Sequence, residues 1–70
     1  MMDYRKRLRE VREDHRLTQA QVGKIINKTQ QGYGHIEAGR AELKIEDLTK
    51  LRQFYKLSAD YIIGLTDEIK

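Results

Sequence analysis

The chain has 70 residues with 14 Lys+Arg against 11 Asp+Glu, a formal net charge of +3, and neither cysteine nor proline. That length makes one domain, expected over 1–70, with a modest core, and such chains commonly lean on disulfides, metals or a partner subunit. The missing cysteine excludes disulfides and thiolate-rich zinc sites, and apolar runs as short as Ile25-Ile26 and Ile62-Ile63 exclude a membrane span. No apolar stretch follows the start Met1-Met2-Asp3-Tyr4-Arg5-Lys6-Arg7, so no signal peptide is expected and the chain reads as cytoplasmic. Arg5, Lys6, Arg7, Arg9 and Arg12 crowd the first segment, while Glu46, Asp47, Asp60, Asp67 and Glu68 weight the second half toward acid. A basic half of this kind suits a polyanionic partner.

The periodicity is helical throughout. Tyr4, Leu8 and Val11 lie at i, i+4 and i+7 and predict a first helix over about 3–14. Thr18-Gln19-Ala20-Gln21 fits a capping box that opens the second helix. Val22, Ile25 and Ile26 form its buried stripe. Asn27 tolerates the left-handed conformation that ends a helix. Thr29 caps a third helix reaching about Ala38, and Gly39 is its stop. A fourth helix over 45–55 carries Leu48, Leu51, Phe54 and Tyr55 on one side. Ser58 caps a short fifth helix through Ile63, closed by Gly64, with a frayed tail expected over 66–70. Tyr61 and Ile62 are core or dimer contacts.

Only a few residues join the second and third helices, which forces the sharp corner of a helix-turn-helix over about 18–38. Its buried positions are Val22, Gly23, Ile26, Tyr33 and Ile36. Gly23 suits a close helix crossing, because a small residue is needed where two helices touch. On the third helix Tyr33, Ile36 and Glu37 point one way. Gln31, Gly34 and His35 point the other, with Gln30 at the leading edge. A glutamine offers a donor and an acceptor together, matching N6–H and N7 of adenine in the major groove, and each good pair contributes about 1–3 kcal/mol of discrimination. Lys28 and Thr29 stand at the helix start, where free N–H groups and the dipole favour phosphate. Gly32 and Gly34 each weaken an exposed helix by roughly 1 kcal/mol relative to Ala, and close approach of the backbone to DNA gives them a use. Glu37 lies on the buried side and needs a partner.

The run Leu17-Thr18-Gln19-Ala20-Gln21-Val22-Gly23 and the run Thr29-Gln30-Gln31-Gly32-Tyr33-Gly34-His35-Ile36-Glu37-Ala38-Gly39 resemble the phage-repressor/Cro-like helix-turn-helix family, also called the xenobiotic-response-element family. The ending Ser58–Asp67 is similar to that family's fifth helix in repressors of Gram-positive bacteria and their mobile elements. The resemblance covers about 4–67. It implies an all-α, compact five-helix lambda-repressor-like fold. It also implies sequence-specific binding of double-stranded DNA by a bacterial or phage-encoded transcriptional regulator. Such a regulator would act as a repressor and sit as a homodimer on a near-palindromic operator.

Carried over by position, Gln30, Gln31 and His35 match base-reading residues and Gln19 a phosphate-binding one. Arg40, just past the recognition helix, is placed for the DNA backbone, together with Lys28, Thr29 and Gly32. Arg12 and Glu37 match a structural ion pair. The sequence departs from the pattern at Arg16, where Gly or Asn is usual and some strain is expected. It departs again at Lys44, which cannot cap the fourth helix, and at Gly32 and Gly34, which thin the reading face.

Other chemistry finds no support. His15 and His35 are the only histidines, and no metal or cofactor is expected. His35 and Glu37 are spaced i, i+2, which separates them on a helix. Gly32-Tyr33-Gly34 lacks the third glycine and preceding strand of a dinucleotide site. No nucleophile or acid–base constellation points to an enzyme. A protein-interaction module of the antirepressor or toxin–antitoxin type is the alternative class, with the acidic second half as partner surface.

Overall fold

Local chemistry at the helix ends sets the corners of the molecule. The computed structural model describes residues 3–69, and among these it forms α1 (Tyr4–Asp14), α2 (Gln19–Ile25), α3 (Gln30–Ala38), α4 (Ile45–Tyr55) and α5 (Ala59–Ile62). Met1, Met2 and Lys70 lie outside the described residues. The Asp3 carboxylate accepts from Arg5 N and starts α1. The Thr18 hydroxyl accepts from Gln21 N at 3.1 Å while the Gln21 side chain accepts from Thr18 N at 2.8 Å, the reciprocal box expected at α2. Thr29 Oγ1 accepts from Gly32 N, and Ser58 Oγ from Tyr61 N, opening α3 and α5. Lys44 makes no capping bond; Glu46 and Asp47 in the first turn of α4 complement its dipole instead.

Helix exits use left-handed backbone. Asn27 (φ 58°) and Gly39 (φ 85°) adopt it as expected. Arg16 (φ 56°) and Lys56 (φ 58°) adopt it too, without the advantage of glycine or asparagine. Arg16 closes α1 by donating its N–H to Glu13 O at 2.9 Å, while Leu17 N donates to Arg12 O at 3.1 Å. The strain expected at Arg16 is therefore present, and these bonds hold it in place.

α2 and α3 meet at the tight corner, where Lys28 N donates to Gly23 O at 2.7 Å. A Cβ on Gly23 would lie 2.8 Å from Thr29 O and 2.9 Å from Lys28 O, both backbone atoms. The absent side chain at Gly23 is what lets the turn fold back onto α2.

Leu8 and Val11 of α1, Val22 and Ile26 of the α2 end, Tyr33 and Ile36 of α3, Leu51 and Tyr55 of α4, and Ile62 of α5 form one buried core. Ile62 is thus core, while Tyr61 is half-buried beneath Arg7, whose guanidinium sits 4.2 Å from its ring centroid. Phe54 turns outward, 47% exposed, because Asp47, Leu51 and Tyr55 take the inner face of α4.

Arg7 is only 3% exposed. Its guanidinium donates to Tyr61 O at 2.6 Å, Thr66 O at 3.0 Å and Asp67 Oδ1 at 2.7 Å. These bonds fasten the segment after α5 back onto α1 and hold Thr66 and Asp67 within the stretch read as a frayed tail.

Candidate nucleic-acid interface

The recognition-helix candidate is α3. Its inner side is fixed by Tyr33 and Ile36, both buried, so Gln30, Gln31 and Ala38 are left exposed and Gly32, Gly34 and His35 half-buried. Gln30 and Gln31 occupy the first turn, beside backbone N–H groups that have no partner within the helix. Thr29 commits its hydroxyl to the cap.

Beneath this face lies an ion pair. Arg12 Nε donates to Glu37 Oε2 at 2.8 Å and Arg12 Nη2 to Glu37 Oε1 at 3.1 Å, while Arg12 Nη1 donates to Leu17 O at 3.0 Å. The Glu37 side chain is 1% exposed. Burial, the largest single influence on the carboxyl, would raise its pKa. Arg12, Tyr33 and Gln19 together outweigh it and hold the pKa below the usual range. The same pairing raises Arg12. Burial first, and then the nearby Glu37 carboxylate, push the Tyr33 phenol up. The Tyr33 hydroxyl is buried with no partner at hydrogen-bond geometry, so its effect on Glu37 is one of proximity.

Gln19 connects the buried pair to the surface. Its Nε2 donates to Glu37 Oε1 at 3.2 Å, and its Oε1 accepts from Gln30 Nε2 at 3.1 Å. The chemistry fixes the direction of this chain. An ionised carboxylate only accepts, so the NH2 of Gln19 must face Glu37 and its carbonyl must face Gln30. One N–H of Gln30 is thereby occupied. The Oε1 of Gln30 and its second N–H remain as an acceptor–donor pair of defined sense.

Gly34 belongs to this arrangement. A Cβ there would lie 3.0 Å from Gln19 Oε1, so the glycine makes room for the Gln19 side chain. The room expected to serve close approach of DNA is taken up, in the free protein, by Gln19. Gly32 is more open, its nearest neighbours being Thr29 Oγ1 at 3.3 Å and Lys28 Cβ at 3.5 Å.

Lys28 is turned partly inward, with Nζ 3.7 Å from Oδ2 of the buried Asp47. His35 lines a shallow hollow of about 390 Å³ between α3 and the start of α4, with Lys28, Thr29, Gly32 and Lys44 around it. Arg40 is exposed in the connection after α3, and its backbone N–H donates to His35 O at 2.8 Å. At the other end of α3, Lys6 and Arg9 of α1 border a depression that includes Ala38. Arg9 is 60% exposed with Nε 4.0 Å from Glu37 Oε1. Position in the motif does not mark Lys6 or Arg9 for DNA, and it marks Lys44 only as a residue that cannot cap α4. The crowding of cations in α1 does not by itself say which of them lie beside α3, and Lys44 carries no such signal. No group of residues suited to a metal ion occurs among the described residues, and among them no helix is long and apolar enough to cross a membrane.

A capped α2, a left-handed corner at Asn27 and an α3 with amides in its exposed first turn define a helix-turn-helix protein. The chain belongs to the helix-turn-helix family of the Cro/C1 type, whose model matches residues 8–62. Proteins of this family are DNA-binding transcriptional regulators. The chain is 38% identical over 65 residues, 93% of its length, to the uncharacterized HTH-type transcriptional regulator YobD of Bacillus subtilis (strain 168). It is 33% identical over 57 residues, 81% of its length, to the SPbeta prophage-derived uncharacterized HTH-type transcriptional regulator YonR of the same strain. The aligned region spans 58% of YobD and 53% of YonR, so the chain corresponds to little more than half of either. No solved structure gives a significant match.

Proposed function

We propose that the chain binds a near-palindromic operator as a homodimer in the cytoplasm of a bacterium and acts there as a repressor, by occupancy and without catalysis. Gln30, Gln31 and His35 read base edges in the major groove. Gln19, Thr29, Gly32, Arg40 and the first-turn N–H groups of α3 take the phosphates. Lys6, Arg9 and Lys44 widen the basic margin. Lys28 serves the phosphates through its field while its ammonium stays near Asp47.

The observation that carries this reading is the directed chain Arg12–Glu37–Gln19–Gln30. It leaves Gln30 with one acceptor and one donor of known sense, the complement of adenine N6–H and N7. An amide held this way loses less freedom on binding than a mobile one. Size supports two copies. The longest extent of the Cα frame is 29 Å, whereas recognition helices in successive major grooves stand about 34 Å apart, so one copy cannot fill both half-sites.

Affinity selection of random duplexes, followed by sequencing, tests the reading. The wild type should enrich an inverted repeat with half-sites about one turn apart. Gln30→Ala and Gln31→Ala should each relax preference at one base pair, by about 1–3 kcal/mol. Arg40→Ala should weaken all duplexes alike. Wild-type preference in both glutamine variants would show that other residues read the bases.

A further inference from the structure

Asp47 is a buried carboxylate set close to the start of the recognition helix. It stands in the first turn of α4 with its side chain 3% exposed, and its Oδ2 is enclosed without a hydrogen-bond partner. Among the described residues its one ion-pair partner is Lys28, with Nζ 3.7 Å from Oδ2. That separation is too long for a hydrogen bond, so charge alone holds the pair. Lys28 directly precedes Thr29, the residue that caps α3. Its stem passes beside Gly32, where a Cβ would lie 3.5 Å from Lys28 Cβ and 4.0 Å from Lys28 Cδ. The stem thus runs along the first turn of α3, and the ammonium at its end is drawn to α4.

A lysine at this position is otherwise well placed for DNA. The first-turn N–H groups of α3 have no partner within the helix, and a phosphate drawn to them comes within reach of a cation one residue before the cap. Two anions therefore compete for one ammonium: the buried carboxylate, which is always present, and a phosphate, present only on DNA. Their surroundings decide between them. Leaving Asp47 strands a buried charge, which costs more than a single exposed, salt-screened phosphate contact returns. Packing does not hold the lysine in place, because its side chain is 31% exposed and lines a shallow hollow. The charge of Asp47 does.

We propose that Asp47 is a positioning residue for DNA binding: it withholds Lys28 from the phosphates and so limits the sequence-independent part of the affinity, which phosphate contacts supply. The proposal rests on the reading that α3 enters the major groove. Fewer contacts are then made alike on every sequence, and recognition leans more on Gln30, Gln31 and His35. Asp47→Asn removes the charge at nearly constant shape and releases Lys28 to the nearest phosphate.

Titration of the wild type, Asp47→Asn, Lys28→Met/Asp47→Asn and Glu46→Gln against a random-sequence duplex and the selected operator, across a salt series, tests the proposal. Asp47→Asn should steepen the slope of log K against log salt by about 0.9 for each copy bound. Counted from parity at about 1 M salt, that slope is a gain of about fifteenfold per copy at about 50 mM and about fourfold at about 200 mM. The double variant lacks the lysine and should keep the wild-type slope, which separates release of Lys28 from the mere loss of a negative charge. Glu46→Gln, exposed in the same turn, should keep it too. A purely structural Asp47 would change the melting temperature and leave the slope alone. Where circular dichroism shows Asp47→Asn unfolded, Asp47→Ser replaces it. In the wild-type complex the Lys28 side chain should keep its nuclear Overhauser contacts with Asp47, a readout that needs no variant. The proposal is overturned by an unchanged slope in Asp47→Asn, by equal steepening in the double variant or in Glu46→Gln, or by transfer of Lys28 to a phosphate in the wild-type complex. A wild type that binds neither duplex at low salt would refute the DNA reading and the proposal with it, whereas binding with an unchanged Asp47→Asn slope refutes the proposal alone.

Discussion

Removing Arg12 is the sharpest test of how the core supports the recognition face. Arg12→Ala deletes two bonds to Glu37, of 2.8 and 3.1 Å, and one to Leu17 O. Glu37 then keeps Gln19 at 3.2 Å and a marginal contact with the exposed Arg9 at 4.0 Å. Breaking a buried pair from one side costs about 3–5 kcal/mol, most of it the penalty of the abandoned charge. The space left by the guanidinium opens toward water, since that side chain is 14% exposed, and Gln19 still donates to Glu37, so the expected loss is near the low end, about 3 kcal/mol. A domain of this length has roughly 4–10 kcal/mol in total, so the variant should be marginal, with its midpoint lowered by about 12 °C or more.

Urea unfolding followed by far-UV circular dichroism measures the loss. The pH dependence separates the abandoned charge from simple lost packing. In the wild type the folded pKa of Glu37 is lowered, so its contribution is complete above the unfolded value of about 4.3 and is lost as pH falls through the folded value. In Arg12→Ala the lowering partner is gone and burial dominates, so acidification neutralises the stranded carboxylate. The gap between variant and wild type should therefore shrink as pH falls from about 7 to 4. Arg12→Ala/Glu37→Gln should recover part of the loss at neutral pH. A loss under about 1 kcal/mol, a gap independent of pH, or strict additivity in the double variant would refute this account of the pair.

Gly34→Ala and Gly23→Ala should differ in sign. At Gly34 the new methyl meets the end of a flexible Gln19 side chain, so the free protein should gain up to about 1 kcal/mol of helix propensity, while selectivity at the Gln30 position relaxes. At Gly23 it meets two backbone carbonyls, and overpacking of about 1–3 kcal/mol should exceed the same gain; thermal unfolding of both variants checks the order. Lys28→Met and Arg40→Met should separate by readout. Lys28→Met strands the buried Asp47 and should lower the melting temperature with a small change in salt slope, whereas Arg40→Met should reduce the slope of log K against log salt by about 0.9 and leave melting unchanged. Burial pushes Tyr55 up to about 12 and raises Tyr33 further in the same direction. The folded state thus keeps protons that the unfolded chain releases near pH 10, and stability should fall as pH rises above about 10; phenolate absorbance should appear at these two rings only together with unfolding.

The helices and their corners were legible in the sequence because their causes are local. Thr18, Thr29 and Ser58 cap from within three residues of the N–H they satisfy, and Asn27 and Gly39 take left-handed backbone that their own side chains permit. Apolar spacing placed Val22, Ile26, Tyr33 and Ile36 in the core for the same reason. Position within the corner was enough to put Gln30 and Gln31 on the exposed first turn of α3.

What only the tertiary structure decided is where the long polar side chains go. Arg7 reads as one cation in a basic run, yet it is buried because residues some sixty positions on fold over it. Lys28 reads as a phosphate ligand, and the α4 residue Asp47 draws it inward. Gly34 reads as a gap for DNA, and Gln19 of α2 fills it. Phe54 reads as sharing one apolar side of α4 with Leu51 and Tyr55, and Asp47 takes the inward face with those two instead. A capping bond is settled within one turn of chain, whereas the partner of a flexible charged or amide side chain is settled by whichever distant element packs against it.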